Sequence, residues 1–524
     1  MLNNIISNLI NAENPKVEDA KQLIKEIYLE DHRPWVVGYS GGKDSTVVVQ
    51  LVFEALADLP KEKLHKKVYV ISSDTLVETP LIISSINNTL RRVQDRALLM
   101  GLPIETHKVK PDFDQTFWAN IIGKGYPSPN QKFRWCTDRL KIDPANQFIK
   151  EKVSTFGEVI MVLGVRDDES VTRGNTMKSH TVEGKVLMRH STLSNAYVFA
   201  PIRNFTLEDI WDYLLDENSP SPWGDDNHEL NKLYQDSSSS RECPLVVDKS
   251  VKESAGSCGN SRFGCWTCTV VTKDKALNGF IENGEDWMRP LLEFRNWLAE
   301  IRDNRNYRQK YRKHGKIYFR NVRVENIDEE DYVIIPKKAS RKEEITKLES
   351  FTIVEKSALK SFLKKNNIDL SRDEDNSLLI KDGETYQQLG LGPFTMKARE
   401  TILRKLLEVQ RDLKHPSGEH YELIKDEEIK VIRRYWLEND DFEDRVPQIF
   451  REVMGYDLDW EYDDRPLFDK EQLSDLELLC DEMKVDMKVL KRLISIEKEY
   501  NGYKIRRGVS QDIEKTLKQD YLHL

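Results

Sequence analysis

The sequence predicts an α/β protein: a doubly wound, mostly parallel sheet, then a four-cysteine insert and a helical C-terminal region. Three observations carry this expectation. From residue 35 to about residue 215, short apolar runs alternate with longer amphipathic segments, the order that builds parallel sheets. The first apolar run, Trp35 to Tyr39, stops at Ser40-Gly41-Gly42, and an apolar-periodic segment begins at once, so a strand turns tightly into a helix N-terminus. Four of the six cysteines fall within 26 residues just after the alternation ends.

The elements follow in order. Residues 1–34 form a helical lead-in, with Ile5, Leu9 and Ile10, then Leu23, Ile24 and Ile27, near helical spacing. After the first strand and helix, Val68 to Ile71 is a β-rich run that ends at Ser72-Ser73-Asp74-Thr75. Pro80 opens a helix to about Met100, and Ile104 to Val109 is a further short strand. Glu158 to Leu163 is another strand, and Thr206 to Leu214 a closing helix. Residues 215–240 are polar and loop-like. Beyond Val271 the chain reads as helical and strongly charged. There Lys356 to Asn367 and Met396 to Asp412 show helical spacing, and Thr395 is placed to cap the second. The expected divisions are 1–34, 35–236, 237–275 and 276–524.

At 524 residues the chain exceeds one ordinary domain. With 39% hydrophobic and 32% charged residues, it reads as globular, soluble and charge-rich. No run has the apolar length of a membrane span, and Met1 to Ile6 lacks a basic n-region, so a cytoplasmic protein without a membrane partner is expected. The net charge of −9 argues against generic nucleic-acid binding but leaves room for a local basic patch.

Ser40, Gly41, Gly42, Lys43, Asp44 and Ser45 are the candidate anion-binding turn. Glycine lets the backbone come close to a ligand, and the first amides of a helix, with its dipole, favour phosphate. A Walker A loop is excluded, because Val37 and Asp44 stand where that motif requires Gly and Ser or Thr. The six residues instead resemble the PP-loop of the ATP pyrophosphatases, an adenine nucleotide alpha hydrolase-like fold that grips the β,γ-pyrophosphate of ATP. In such sheets ligands sit at the carboxyl ends of strands, where Asp74 could reach a ribose or a metal, or be an exposed turn aspartate.

Two further segments extend the resemblance. Cys136 lies among Lys132, Arg134, Arg139 and Lys141, and nearby positive charge favours a thiolate. Trp135-Cys136-Thr137 with Leu140-Lys141 and Pro144 is similar to an element of the phosphoadenylyl-sulfate (PAPS) reductase family. Gly164-Val165-Arg166-Asp167-Asp168-Glu169-Ser170, with Arg173, matches that family's G-x-R-x-x-E-S-x-x-R element. Arg166 and Arg173 follow a strand end, where guanidinium forks suit phosphate. In order over roughly residues 30–215, these motifs imply a nucleotide site. Asp44, Cys136, Arg139, Lys141 and Arg166 are its catalytic candidates, and Ser40 to Ser45, Asp74, Arg166 and Arg173 bind the nucleotide.

Cys243, Cys258, Cys265 and Cys268 are separated by fourteen, six and two residues. In a reducing compartment such clustering points to a metal, and the count suits tetrahedral zinc and a [4Fe–4S] cluster equally. From Arg302 to Arg323, nine cations face one acid, with Tyr307, Tyr311, Tyr318 and Phe319 interleaved. That pattern fits a nucleic-acid backbone contact and a solvated basic face equally well.

The Cys136 setting, the C-x6-C-x2-C spacing and Gly390-Leu391-Gly392-Pro393-Phe394-Thr395-Met396 together resemble the DndC family of bacterial DNA phosphorothioation. That resemblance covers the whole chain. It implies ATP, Mg2+ and a [4Fe–4S] cluster as cofactors. It also implies DNA as substrate, an IscS- or DndA-like cysteine desulfurase as sulfur donor, and DndD and DndE as partners. Two alternatives stand beside it. One is a sulfonucleotide reductase acting on PAPS or APS, whose E-C-G-x-H motif is missing here because Pro244 follows Glu242-Cys243. The other is an ATP-sensing scaffold subunit without catalysis.

Overall fold

A computed structural model describes residues 15–131, 133–167, 186–189, 193–217, 220–237, 264–312, 317–336, 343–366, 368, 378–418, 420–438, 441, 443–460, 470–483, 485, 487–500 and 509–517. The chain divides into two compact units. The first is Met1–Asp112 with Trp135–Thr267 and Asp274–Arg289; the second is Phe113–Arg134 with Cys268–Lys273 and Pro290–Leu524.

The first unit is built on a six-stranded sheet. Its strands are β1 (Trp35–Gly38), β2 (Val68–Ser73), β3 (Ile104–Val109), β4 (Val159–Val162), β5 (Met188–Arg189) and β6 (Ala196–Phe199), in the order β3-β2-β1-β4-β6-β5. All neighbours are parallel except the short β5, which runs against β6. Trp35 pairs with Val68 on one side and Ile160 on the other, so β1 is central. The chain moves outward from β1 to β3, then returns to build from β4. That reversal opens the crevice where ligands of such sheets bind.

Helices cover both faces. Lys43–Ala57 is apolar nearly all round, and Ser45 through Phe53 are all buried, as expected of a core helix. Pro15–Glu30 packs on it and buries Ile24, Ile27 and Tyr28. On the other face, Ile149 of the helix Asp143–Phe156 joins Val36, Tyr69, Ile71, Val159 and Ala196 in one apolar cluster. The α/β expectation and the doubly wound sheet hold, and the four strands read from sequence lie within two residues of β1 to β4, whereas β5 and β6 were not read. The closing helix is Leu207–Leu214, with Thr206 and Asp209 forming a capping box. One correction concerns residues 215–240, which are not all loop: Asn227–Asp236 is a helix, capped by the Asp226 side chain.

The second unit has its own sheet and helices. Its strands are β7 (Phe319–Ile327), β8 (Glu330–Pro336), β9 (Glu343–Lys347), β10 (Thr352–Glu355), β11 (Leu378–Asp382) and β12 (Thr385–Leu389), in the order β10-β11-β12-β7-β8-β9. The region read as helical from sequence therefore also holds a six-stranded sheet. Helices Met396–Asp412, Asp426–Glu438 and Arg445–Met454 follow, the first capped by Thr395, whose hydroxyl accepts from Ala398 N at 3.1 Å. The segment 113–134 packs with these helices: Trp118 Nε1 donates to Leu423 O at 2.7 Å, and Trp436 Nε1 to Ile122 O at 2.8 Å. Among the described residues, no helix is long and apolar enough to cross a membrane.

Candidate active site

The turn after β1 is tight because Gly41 adopts φ +73°, a region closed to most side chains. Gly42 then caps the helix Lys43–Ala57 from an extended conformation, with no side-chain hydrogen bond at the cap. Ser45 draws the turn together. Its Oγ donates to Gly42 O at 2.8 Å and accepts from Ser40 N at 3.2 Å, with the Ser40 hydroxyl 3.1 Å away. Small hydroxyls and helix-opening amides are thus gathered at the carboxyl end of the central strand.

The loop after β4 completes this turn. A Cβ on Gly164 would lie 2.8 Å from Asp44 O, so only glycine lets the two backbones pass at this distance. That approach carries the buried Arg166 onto Asp44, Nε to Oδ1 at 2.6 Å, while Lys43 Nζ lies 3.0 Å from Asp44 Oδ2. Two cations against one carboxylate leave the turn net positive, as a phosphate site requires. The residues present fit a nucleotide's pyrophosphate on these grounds.

Asp74, at the end of β2, is a buried carboxylate rather than an exposed turn aspartate. Its Oδ1 accepts from Leu76 N at 3.0 Å, and Lys108 and Lys110 approach its Oδ2 at 3.9 and 3.8 Å. No group of three or more His, Cys, Asp or Glu placed to hold a metal occurs among the described residues.

A second constellation forms just beyond β2. The backbone at 264–266 is pinned to 77–79, with Trp266 N donating to Val77 O at 3.1 Å and Thr79 Oγ1 to Gly264 O at 2.9 Å. Cys265 thereby sits 3.3 Å from Thr75 Oγ1, which itself donates to Glu78 Oε1 at 3.0 Å. Lys141 Nζ lies 3.4 Å from the same carboxylate oxygen. Cys265, then Glu78 and Cys136, hold the ammonium of Lys141, an exposed side chain, above the ordinary lysine range against a partial loss of hydration. A persistent positive charge beside two sulfurs suits an anionic sulfur species. Cys136 and Arg139 are half-buried on the helical turns Trp135–Ile142 that carry Lys141.

The structure therefore gathers Ser40 to Ser45 with Arg166 at one strand end. Cys136, Lys141 and Cys265 gather beside the neighbouring one. Cys268 lies in the second unit, where its carbonyl accepts from Arg295 Nε at 2.8 Å. Arg173, Cys243 and Cys258 lie outside the described residues. Two members of the expected four-cysteine set are thus described, and neither is in a disulfide.

Sequence reasoning missed Glu78 and Tyr234. Glu78 stands four residues after Asp74, but only the folded chain brings 264–266 to it. Tyr234 accepts a hydrogen bond from Lys43 N at 3.1 Å, and its signal was the Leu230, Leu233, Tyr234 spacing within a polar stretch. The basic stretch also divides. Arg302 and Arg308 are buried: Arg302 Nη1 donates to Thr269 O at 2.8 Å, and Arg308 Nε to Gly392 O at 2.6 Å. Arg312 and Arg323 are exposed.

The first unit is thus a doubly wound α/β domain with a glycine turn at the carboxyl end of its central strand. Residues 34–271 match the family model of the phosphoadenosine phosphosulfate reductase domain. A curated relative is the uncharacterized protein MJ0066 of Methanocaldococcus jannaschii, 26% identical over 274 residues, which are 52% of this chain and 44% of the relative. The chain thus spans under half the length of the curated relative it matches. Among solved structures, the PAPS reductase of Candida auris in its phosphate complex is 13% identical over 42% of this chain and 87% of that one, with a TM-score of 0.25. The U34-tRNA thiolase NcsA of Methanococcus maripaludis, with its [4Fe–4S] cluster, is 14% identical over 46% of this chain and 75% of that one, with a TM-score of 0.26.

Proposed function

We propose that this protein is the ATP pyrophosphatase and sulfurtransferase component of bacterial DNA phosphorothioate modification, a DndC-like enzyme. The observation that carries the nucleotide chemistry is the β1 turn, with Lys43 and Arg166 joined on Asp44 beside helix-opening amides. The observation that favours sulfur chemistry is Cys265 beside Thr75 and Glu78, with Lys141 Nζ 3.4 Å from the same Glu78 carboxylate.

In this reading the turn binds the β,γ-pyrophosphate, with Mg2+ as counter-ion. An oxygen of a DNA backbone phosphate attacks the α-phosphorus of ATP; the new P–O bond forms as the α–β bridge breaks, and pyrophosphate leaves. A sulfur nucleophile at the sulfide oxidation level then attacks the adenylated DNA phosphorus and displaces AMP. Lys43, Arg139, Lys141, Arg166 and Arg173 stabilise charge on the phosphates. Cys136 is the candidate sulfur carrier, and Cys243, Cys258, Cys265 and Cys268 are the candidate [4Fe–4S] ligands. A cysteine desulfurase would supply the sulfur as a persulfide on the carrier; a thiol reductant would then attack the inner sulfur, forming a disulfide and releasing the outer sulfur at the sulfide level, and DndD and DndE would be the partners. The exposed Arg312 and Arg323 are the candidates for DNA contact, and Arg302 and Arg308 are engaged internally.

The test is pyrophosphate release from ATP by anaerobically purified protein, with and without DNA, with a visible spectrum of the same sample. Pyrophosphate together with broad iron–sulfur absorbance supports the proposal. Turnover of PAPS without pyrophosphate release would place the protein with the sulfonucleotide reductases. Nucleotide binding without turnover of either would make it a scaffold.

A further inference from the structure

The first amide of the anion-binding helix already has a partner. Lys43 N donates to the Tyr234 hydroxyl at 3.1 Å. Tyr234 comes from Asn227–Asp236, a helix outside the strand–turn–helix unit. Its ring meets Trp211 edge-on, with centroids 5.3 Å apart and planes at 85°. The Lys43 ammonium lies 5.3 Å from the ring centroid. The helix is tied to Lys43–Ala57 by Asn227 Nδ2, which donates to Gln50 Oε1 at 3.3 Å. At its other end Asp236 O accepts from Asn283 Nδ2 at 3.0 Å. A Cβ on Gly42 would lie 3.1 Å from the phenol oxygen, so the glycine at 42 is also what gives the phenol room.

We infer that Tyr234 is a latch on the phosphate cradle: its hydroxyl competes with a phosphoryl oxygen of a nucleoside triphosphate, or of pyrophosphate, for the Lys43 amide proton. The inference rests on the anion-binding reading of Ser40–Ser45. One N–H supports one strong hydrogen bond. An ionised phosphate oxygen makes a charge-assisted bond roughly twice as strong as a neutral one, so phosphate wins the exchange. The phenol's hydrogen bond must still be given up, and that loss is subtracted from the ligand's affinity. Tyr234 thereby tunes how tightly the site holds pyrophosphate, and so how readily the product leaves. Neither motif spacing nor the cradle's own residues point to it.

Tyr234→Phe isolates the hydroxyl, because the ring keeps its contacts with Trp211 and Lys43. Binding of inorganic pyrophosphate, ATP and adenosine to the full-length protein is measured by calorimetry for wild type and Y234F. The latch requires Y234F to bind pyrophosphate and ATP about three- to tenfold more tightly, the scale of one net hydrogen bond, with adenosine affinity unchanged. Equal pyrophosphate affinity, or a parallel change for adenosine, overturns the latch while the anion-binding reading survives. Weaker pyrophosphate binding by Y234F overturns it too, by making the phenol a phosphate ligand. Failure of both proteins to bind pyrophosphate and ATP overturns the anion-binding reading and the latch together.

Discussion

Arg166 and Asp44 stand 122 positions apart in the chain and meet at 2.6 Å, Nε to Oδ1. The other carboxylate oxygen of Asp44 is taken by Lys43 at 3.0 Å. Asp44 is thus a hub between two cations at the mouth of the turn, and it holds down the positive charge available to phosphate.

This arrangement predicts opposite effects for the two partners. In Arg166→Gln, Asp44 neutralises Lys43 alone and the turn loses its net positive charge. Pyrophosphate affinity is expected to fall about tenfold or more, since charge-assisted contacts of this kind are each worth roughly 1.5–3 kcal/mol. In Asp44→Asn both cations are released, and affinity measured without divalent metal is expected to rise. Titration of pyrophosphate in the presence of a chelator reads both. A loss of equal size in the two variants would show instead that Asp44 matters by orienting Arg166, and the charge argument would fail.

Arg308 predicts a purely structural effect. It is buried, and it donates to Gly392 O at 2.6 Å, to Leu391 O at 3.5 Å and to Arg302 O. Burial lowers its pKa to about 10, which leaves it charged at neutral pH. Arg308→Leu strands these carbonyls and should destabilise the second unit by several kcal/mol, on the order of 3. Arg323 is exposed and pairs with Glu325 at 3.5 Å, so Arg323→Ala should cost under about 1 kcal/mol. Guanidinium denaturation followed by tryptophan fluorescence separates them. Coincident midpoints for R308L and wild type would refute the structural role.

These arginines also show where the sequence was legible. The strand–turn–helix around Ser40–Ser45 could be read because its signals are local: an apolar run, two glycines and an apolar helix. The Gly164-Val165-Arg166 element was legible as a motif, although its reason is tertiary, the passage of one backbone 2.8 Å from where a Cβ would stand. Glu78 was not legible, since its meeting with Cys265 spans 187 positions. The second sheet was hidden by charge. β7 alternates Val322 and Val324 with Arg323 and Glu325, and a half-buried strand of this kind reads as a charged run until its partners β8 and β12 are known. For the same reason Arg302 and Arg308 looked like a surface patch, because sequence cannot tell a cation that binds phosphate from one that binds carbonyls.

The last prediction concerns Glu428, on the helix Asp426–Glu438. Its side chain is fully buried, and one oxygen accepts from Lys425 N at 2.9 Å. Burial pushes its carboxyl up to about 7, from an ordinary value of 4.5. In the unfolded chain the group ionises near its ordinary value. Below about pH 4.5 both states hold the proton, and no penalty arises. Between about pH 4.5 and 7 the unfolded state loses its proton first, so stability falls as pH rises, and above about pH 7 the full penalty is in force. The size implied is on the order of 3 kcal/mol, at 1.36 kcal/mol per unit. Glu428→Gln keeps an acceptor for Lys425 N and removes the titration. It should therefore be more stable than wild type at pH 8, with the difference shrinking towards pH 5. Urea denaturation of both proteins at the two pH values measures this directly. A gap that does not change with pH would mean that the buried carboxyl ionises without cost, and that burial is not what governs this helix.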